Sequence, residues 1–396
     1  MPKPILLLNC GSSSIKYQMI DADTEGVMAV GLVQKVGDPT PGTIDHEVDG
    51  EEFHDSTYFP SHTEAIAAVV KMFNTHGPDI TEAVAVGHRT VHGGTEFNST
   101  TIIDRAVINK LVELSGLAPL HNPPGIAGIR AAREILPHVP HVAVFDTAFF
   151  AELPAAAYTY AIDTELAKKY QIRRYGFHGT SHQYVSGQAA QFLGKDISEL
   201  KQIVCHLGNG ASLSAIDGGH PIETTMGLTP LQGLVMGTRC GDVDPGLHAY
   251  LGREMGLDVA EVDTILNKRS GMLGLCGKTD MRDVEAQMLA GDEATQLAAE
   301  VYIHRLVGYI GNYIAHLGGI DCITFTAGIG ENAAWVRKMV VEKLGYFGAV
   351  LDEEVNATRS KQPRRISTPD SQVEVLVIPT NEELAMVRET IRTIGA

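Results

Sequence analysis

Positive charge is scarce in this sequence. Lysine and arginine number 31 against 48 aspartates and glutamates, giving a net charge of −17 at pH 7. Such a surface disfavours nucleic acid and anionic membrane, so an anionic substrate must be held by a local cluster of arginines, lysines and histidines. Cysteine is scarce too. The five, Cys10, Cys205, Cys240, Cys276 and Cys322, are odd in number, scattered and never in a C-x-x-C pair. That argues against a disulfide framework or a structural zinc, and for reduced thiols in a cytosol. No run approaches the roughly 20 apolar residues of a membrane helix. The apolar stretch in "MPKPILLLNCGSSS" is too short for a signal peptide and reads into a strand. A cytoplasmic protein is expected. No H-E-x-x-H and no closely spaced His/Asp set occurs, so a metal-dependent hydrolase has no support.

What is present is an ordinary globular composition, 44% hydrophobic and 20% charged, over 396 residues, a length that predicts two domains. Strand-like runs ("VAVGHR", "HVAVFD") alternate with helical spacing ("HTEAIAAVVKMFNTHG", "PGIAGIRAAREILP"), which is an α/β pattern. A domain crossing is expected around residues 148–165, where "AFFAELPAAAYTYAID" carries a proline and small residues. The opening stretch "ILLLNCGSSSIKYQMID" puts Gly11, three serines and Lys16 in a turn between apolar runs. It is not a P-loop: one glycine precedes the lysine, no serine or threonine follows it, and "IKYQMID" suits a strand, so the turn predicts a β-hairpin tip. The pattern recurs. "IVCHLGNGASLSAID" again gives strand, small-residue turn and alternating strand ending in Ile-Asp, at an offset near 196 once one turn residue is gapped. A third turn, "ITFTAGIGENAAWVRKMVVEKL", predicts a strand, a Gly328/Gly330 turn, and a helix from near Asn332 suited to meeting a nucleotide with its first amides.

The strings "NCGSSSIK", "GHRTVHGG", "APLHNPPG", "FDTAFF", "RRYGFHGTSH", "CHLGNGAS", "TPLQGLVMGTRCGDVDPG", "KTDMRD", "TAGIGEN" and "TNEE" run in one order from residue 9 to residue 383. With the two hairpins and the nucleotide turn, they make the chain resemble the acetate kinase (acetokinase) family of the actin, heat-shock chaperone and sugar kinase superfamily, over essentially its whole length. The resemblance implies a duplicated actin-like (ribonuclease H-like) α/β ATPase fold, two lobes around a nucleotide cleft that closes on binding. Its N-terminal lobe, 1–150, would carry the acyl substrate and phosphate hairpin and be completed by a C-terminal helix over 381–396. A nucleotide-binding lobe would occupy 151–380. The activity implied is reversible, direct in-line phosphoryl transfer from ATP to acetate, giving acetyl phosphate and ADP, with magnesium required, manganese as a possible substitute, and a homodimer as the assembly.

Making an acyl phosphate brings two mutually repelling anions into line, so positioning and charge neutralisation are most of the catalysis. The sequence offers Arg89 and Arg239, with His121, His178 and His206 in glycine- or proline-rich loops, among 16 histidines in all. By resemblance, Arg89 would bind the substrate carboxylate, its planar donors suiting that group. His121, Val91, Leu120, Phe177 and Pro230 would complete the acid site, the apolar four around the methyl group. Arg239 and His178 would stabilise charge on the phosphoryl group in flight. Asp146, after the strand "HVAVF", would sit close to metal and substrate, although its place also suits an N-cap. Asn9 and Glu382 would hold the metal. Nucleotide contacts would come from Ser12, Ser14 and Lys16, from His206, Leu207, Gly208, Asn209 and Gly210, from Asp280, Met281 and Arg282, and from Gly328, Ile329, Gly330, Glu331 and Asn332. If "HRTVHGG" is a strand, Arg89 and Val91 project to one face. A propionate or butyrate kinase of the same family remains open, as does a nonenzymatic actin-like nucleotide sensor.

Overall fold

The computed structural model describes residues 3–119 and 121–395. The chain divides into two compact units, Met1–Ala151 with Asn381–Ala396, and Glu152–Thr380.

Unit 1 is built on an eight-stranded sheet: β1 (Pro4–Cys10), β2 (Ser14–Asp21), β3 (Val27–Gln34), β4 (Gly42–Val48), β5 (Glu51–Thr57), β6 (Ala85–Thr90), β7 (Thr101–Ile102) and β8 (His141–Phe145), in the order β5-β4-β3-β2-β1-β6-β8-β7. β1 to β5 form an antiparallel meander, β6 and β8 run parallel to β1, and β7 is antiparallel to β8. The run "ILLL" within β1 is continuously apolar because both faces of its strand are covered. Leu6 and Leu8 join Ile66, Val69 and Phe73 of helix His62–His76 on one face, with Ala131 and Ala132 of helix Asn122–Ile135. Ile5 and Leu7 join Met386 and Val387 of the C-terminal helix, Glu382–Ile394, on the other. That alternation is the two-residue period of a strand.

Unit 2 holds a six-stranded sheet of β9 (Lys201–Leu207), β10 (Ala211–Asp217), β11 (His220–Thr224), β12 (Cys322–Thr326), β13 (Arg364–Arg365) and β14 (Glu374–Val377), ordered β11-β10-β9-β12-β14-β13. Again a hairpin leads, two parallel strands follow, and a short antiparallel strand closes the sheet. Strand for strand this is β3-β2-β1-β6-β8-β7 of unit 1, so the fold is a duplicated α/β fold of the actin-like, ribonuclease H-like type. Only β4 and β5 lack a counterpart. The gap between the repeats lies in the turn: four residues separate the paired Cys10 and Ile15, and three separate Leu207 and Ala211. A bulge recurs in the second strand of each, at Met19/Ile20 and at Ala215/Ile216. Among the described residues no helix is long and apolar enough to cross a membrane.

Candidate active site

In unit 1 the candidate residues gather at the ends of β1, β6 and β8. Arg89 is the penultimate residue of β6, and Asp146 follows β8 directly, its N–H donating to the Thr90 carbonyl at 3.0 Å. Parallel neighbours in register therefore present the two side chains together. Arg89 donates from Nε to Asp146 Oδ1 at 3.1 Å and from Nη2 to Oδ2 at 2.9 Å, a two-pronged pair, and Nη2 also lies 3.6 Å from Glu382 Oε2. The Asp146 side chain is 4% exposed and the Arg89 side chain 25%. The Asp146 and Glu382 carboxylates hold the guanidinium in its charged form, Asp146 most strongly. Glu382 opens the C-terminal helix behind Asn381, whose side chain accepts from the Leu384 N–H. Burial raises its pKa and repulsion from Asp146 adds to the rise, while Arg89 and Lys16 oppose it.

At the hairpin tip, Ser12 is exposed, Ser14 is half-buried, and Lys16 is exposed and registered against Asn9. The turn is anchored from outside: His62 Nε2 lies 2.8 Å from the Gly11 carbonyl oxygen. No group of three or more His, Cys, Asp or Glu side chains forms a metal site among the described residues. Magnesium needs no such cage, because it takes one or two protein oxygens and fills its octahedron with phosphate and water. Asn9 and Glu382 offer donors of that kind: a neutral amide at the position registered against Lys16, and a half-buried carboxylate whose pKa burial raises first and Asp146 raises further.

Unit 2 gathers the histidines. His178 sits at φ +60 ahead of helix Gly179–Leu193, its ring stacked on His206 of β9 with centroids 4.3 Å apart. A Cβ on Gly210 would lie 3.4 Å from Arg239 Nη1 and 3.7 Å from His178 Nε2, so guanidinium and imidazole flank the glycine. The loop carrying Arg239 folds back onto the tip of the second hairpin. The Gly237 N–H donates to the Asn209 carbonyl at 3.0 Å, and a side chain at Gly237 would strike the Asn209 amide. Arg239 Nη1 donates to the Pro230 carbonyl at 3.1 Å, which places Pro230 beside it. Phe177 is buried at 2% exposure.

The remaining nucleotide candidates are also in unit 2. Asp280 caps helix Met281–Leu289, and Arg282 returns its guanidinium to the Asp280 carboxylate, which is held down to about 2. Met281 is buried at 6% exposure. His206 and Leu207 end β9 and Gly208, Asn209 and Gly210 form its turn. Gly328, Ile329, Gly330, Glu331 and Asn332 lie in the short helix Ala327–Asn332.

The structure corrects two sequence expectations. "TAGIGEN" is not an open glycine turn before a helix at Asn332: the glycines are helical, Ala327 takes the left-handed turn at φ +64, and a second helix starts at Ala334. Val91 is not on a strand, since β6 ends at Thr90, so strand alternation does not align it with Arg89. Of the two places the sequence left open to Asp146, the N-cap is not taken up: its carboxylate pairs with Arg89. His121 stands at the start of helix Asn122–Ile135, half-buried, while Leu120 lies outside the described residues. Sequence reasoning also missed Ser181, His182, Ser212 and Ser214, which hydrogen-bond around His178 and His206. Their signal was there. His178 and His182 are four apart at a helix start, and Ser212 and Ser214 alternate on one face of β10.

With this geometry in place, comparison with known proteins is informative. The Acetokinase family model matches residues 4–388. The acetate kinase of Leifsonia xyli subsp. xyli is 52% identical over 394 residues, covering 99% of each chain. The crystal structure of Porphyromonas gingivalis acetate kinase superposes with a TM-score of 0.94 at 40% identity, covering 99% of this chain and 100% of that one. A propionate kinase from Francisella tularensis subsp. tularensis superposes at 0.91, also at 40% identity, over 98% of both chains. A duplicated fold with paired glycine hairpins and a match spanning nearly its full length make this chain a member of the acetokinase family.

Proposed function

We propose that the protein transfers the terminal phosphoryl group of ATP to acetate, reversibly and in one in-line step, giving acetyl phosphate and ADP. The observation that carries this reading is the 52% identity, over 99% of the chain, to a protein named acetate kinase. A carboxylate oxygen of acetate attacks the γ-phosphorus as its bond to the ADP oxygen breaks. Arg89 binds the acetate carboxylate from Nη1, for Nε and Nη2 are committed to Asp146 and Nη2 also faces Glu382. Asp146 thereby orients the acid-binding cation. His121 adds a donor, and Val91, Leu120, Phe177 and Pro230 border the methyl group. Arg239 and His178 stabilise the charge spread over the equatorial oxygens of the phosphoryl group. Ser12, Ser14 and Lys16 serve the phosphates. His206 to Gly210, Asp280 to Arg282 and Gly328 to Asn332 hold the nucleotide, with glycine backbones free to approach it.

Asn9 and Glu382 are the residues that would hold magnesium. Bound there, magnesium or manganese would neutralise phosphate oxygens. The protein is further read as a cytoplasmic homodimer. Helix Gly246–Met255 has no buried residue, and Tyr250, Met255 and Val259 are 55%, 63% and 80% exposed, an apolar surface a second copy would cover.

Purified protein with ATP, magnesium and a panel of short carboxylates tests the function, using hydroxylamine to trap acyl phosphate as hydroxamate. Acetate should give the highest specificity constant, with propionate slower, because one methylene in an apolar pocket is worth about 1 to 3 kcal/mol. Faster turnover of propionate would move the chain to the propionate kinase reading. Phosphate release without hydroxamate would support a sensor or ATPase.

A further inference from the structure

Behind His178 runs a chain of buried groups to which the reaction above assigns no part. Ser214 Oγ lies 2.7 Å from His182 Nδ1, His182 Nε2 lies 2.8 Å from Ser212 Oγ, and Ser212 Oγ lies 2.9 Å from His178 Nδ1. Ser212, Ser214 and His182 are all fully buried. Burial, with a smaller push from His206, holds the His182 imidazole well below the ordinary histidine range, so the ring is neutral at physiological pH. A neutral imidazole donates from one nitrogen and accepts at the other. The chain therefore has a direction.

A head-to-tail chain can run in two directions, because the Ser212 hydroxyl has one proton to give and stands between two rings. If Ser214 donates to His182, His182 donates to Ser212 and Ser212 donates to His178 Nδ1, then Nδ1 accepts and the ring proton of His178 sits on Nε2. In the reverse direction Nδ1 carries a proton, and in a neutral ring Nε2 then accepts. Nε2 is the nitrogen that flanks Gly210 together with Arg239 Nη1. Phosphoryl oxygens accept and never donate, so only a proton on Nε2 complements them. The ring plane is fixed separately: His206, stacked on His178, is itself tied through Nδ1 to Ser181 Oγ at 2.8 Å, and Ser181 to Thr380 Oγ1 at 2.8 Å.

We propose that Ser214, His182 and Ser212 form a tautomer-setting relay that holds His178 as an Nε2–H donor to the phosphoryl group in transfer. Ser212 and His182 are then positioning residues, acting on the reaction only through His178. The inference rests on His178 serving the phosphoryl group, as proposed above, but its test does not depend on turnover.

Nitrogen-15 spectra of the protein labelled in its histidine rings report the tautomer directly, with the His178 signals assigned by their loss in His178→Gln. The expected result is a protonated Nε2 and a bare Nδ1. Ser212→Ala should convert His178 to a mixture of tautomers and lower kcat about ten- to hundredfold, with the KM values for ATP and acetate within about twofold of wild type. Ser214→Ala, one link further away, should do the same more weakly. A wild-type proton on Nδ1 overturns the relay, and so does Ser212→Ala with unchanged tautomer and kcat. Should Ser212→Ala fail to fold, the wild-type spectrum alone decides. A protein that forms no acyl phosphate overturns the functional reading, and the tautomer still judges the relay.

Discussion

In the first hairpin Asn9 is registered against Lys16; in the second His206 is registered against Ser212. Around the first stand formal charges of both signs, Arg89, Asp146 and Glu382, the cation bound to both carboxylates. Around the second stand stacked and serine-bound histidines, with Arg239 as the cation. The repeated fold dictates where side chains emerge and leaves their chemistry free. The paired charges around the first stay partly open to water, for isolated buried charge is costly. The neutral serines and His182 around the second tolerate full burial because they are hydrogen-bonded.

The largest expected effect comes from breaking the charged side. Arg89→Ala leaves Asp146 and Glu382 without their shared cation, so steady-state assays should show the specificity constant for acetate reduced at least about tenfold, from the loss of roughly 1.5 to 3 kcal/mol of charge-assisted binding. The KM for ATP should change much less. Stability should fall on the order of 3 kcal/mol in urea denaturation, the usual penalty for orphaning a largely buried carboxylate. Full acetate activity in this variant would remove Arg89 from the acid site.

Val91→Ala sharpens the same side by leaving charge alone and enlarging the pocket. The ratio of propionate to acetate specificity constants should rise on the order of tenfold. An unchanged ratio would mean that Val91 does not border the methyl group.

Acid tests the neutral histidines. His88, His141 and His182 are buried, and burial depresses all three, His88 and His182 most strongly. In the unfolded chain they bind protons near the ordinary value of about 6.5; in the fold they resist until lower pH. The unfolded state therefore gains more protons as pH falls, and the stability present above about 6.5 is lost progressively below it. Half-buried Glu223, Glu331 and Glu382, with raised values, work in the opposite direction. Thermal unfolding between pH 7.5 and 5.5 should show a falling Tm. A flat or rising profile would contradict the neutral assignment.

The smallest effect concerns the nucleotide turn. Ala327 sits at φ +64, where a Cβ is strained. Ala327→Gly should raise stability by about 0.5 to 1 kcal/mol in the same denaturation assay, and a loss would mean that the Ala327 methyl contributes more packing than the strain costs.

How much of this was legible beforehand followed from distance along the chain. The hairpins were readable because strand, glycine turn and alternating strand are local patterns, and their repetition pointed to duplication. Arg89 and Asp146 were each singled out, but not as a pair, since 57 residues separate them and only the parallel register of β6 and β8 joins them. The relay was hidden for the same reason: Ser212 reaches back 30 residues to His182. The glycines of "TAGIGEN" misled because G-x-G signals a loop by composition, whereas here the left-handed position falls on the alanine before them. The outer strand β5 escaped because "EEFHDST" has Phe53 as its one apolar residue, as an exposed edge allows.

The central claim is that phosphoryl transfer to acetate is direct, with Arg239 and His178 steadying the group in flight and no residue taking it up. ATP made chiral at the γ-phosphorus with oxygen isotopes tests this most directly, by the configuration of the acetyl phosphate formed. One in-line displacement predicts net inversion. Net retention would mean two displacements and a phosphorylated residue, Glu382 being the first suspect, and would contradict the account.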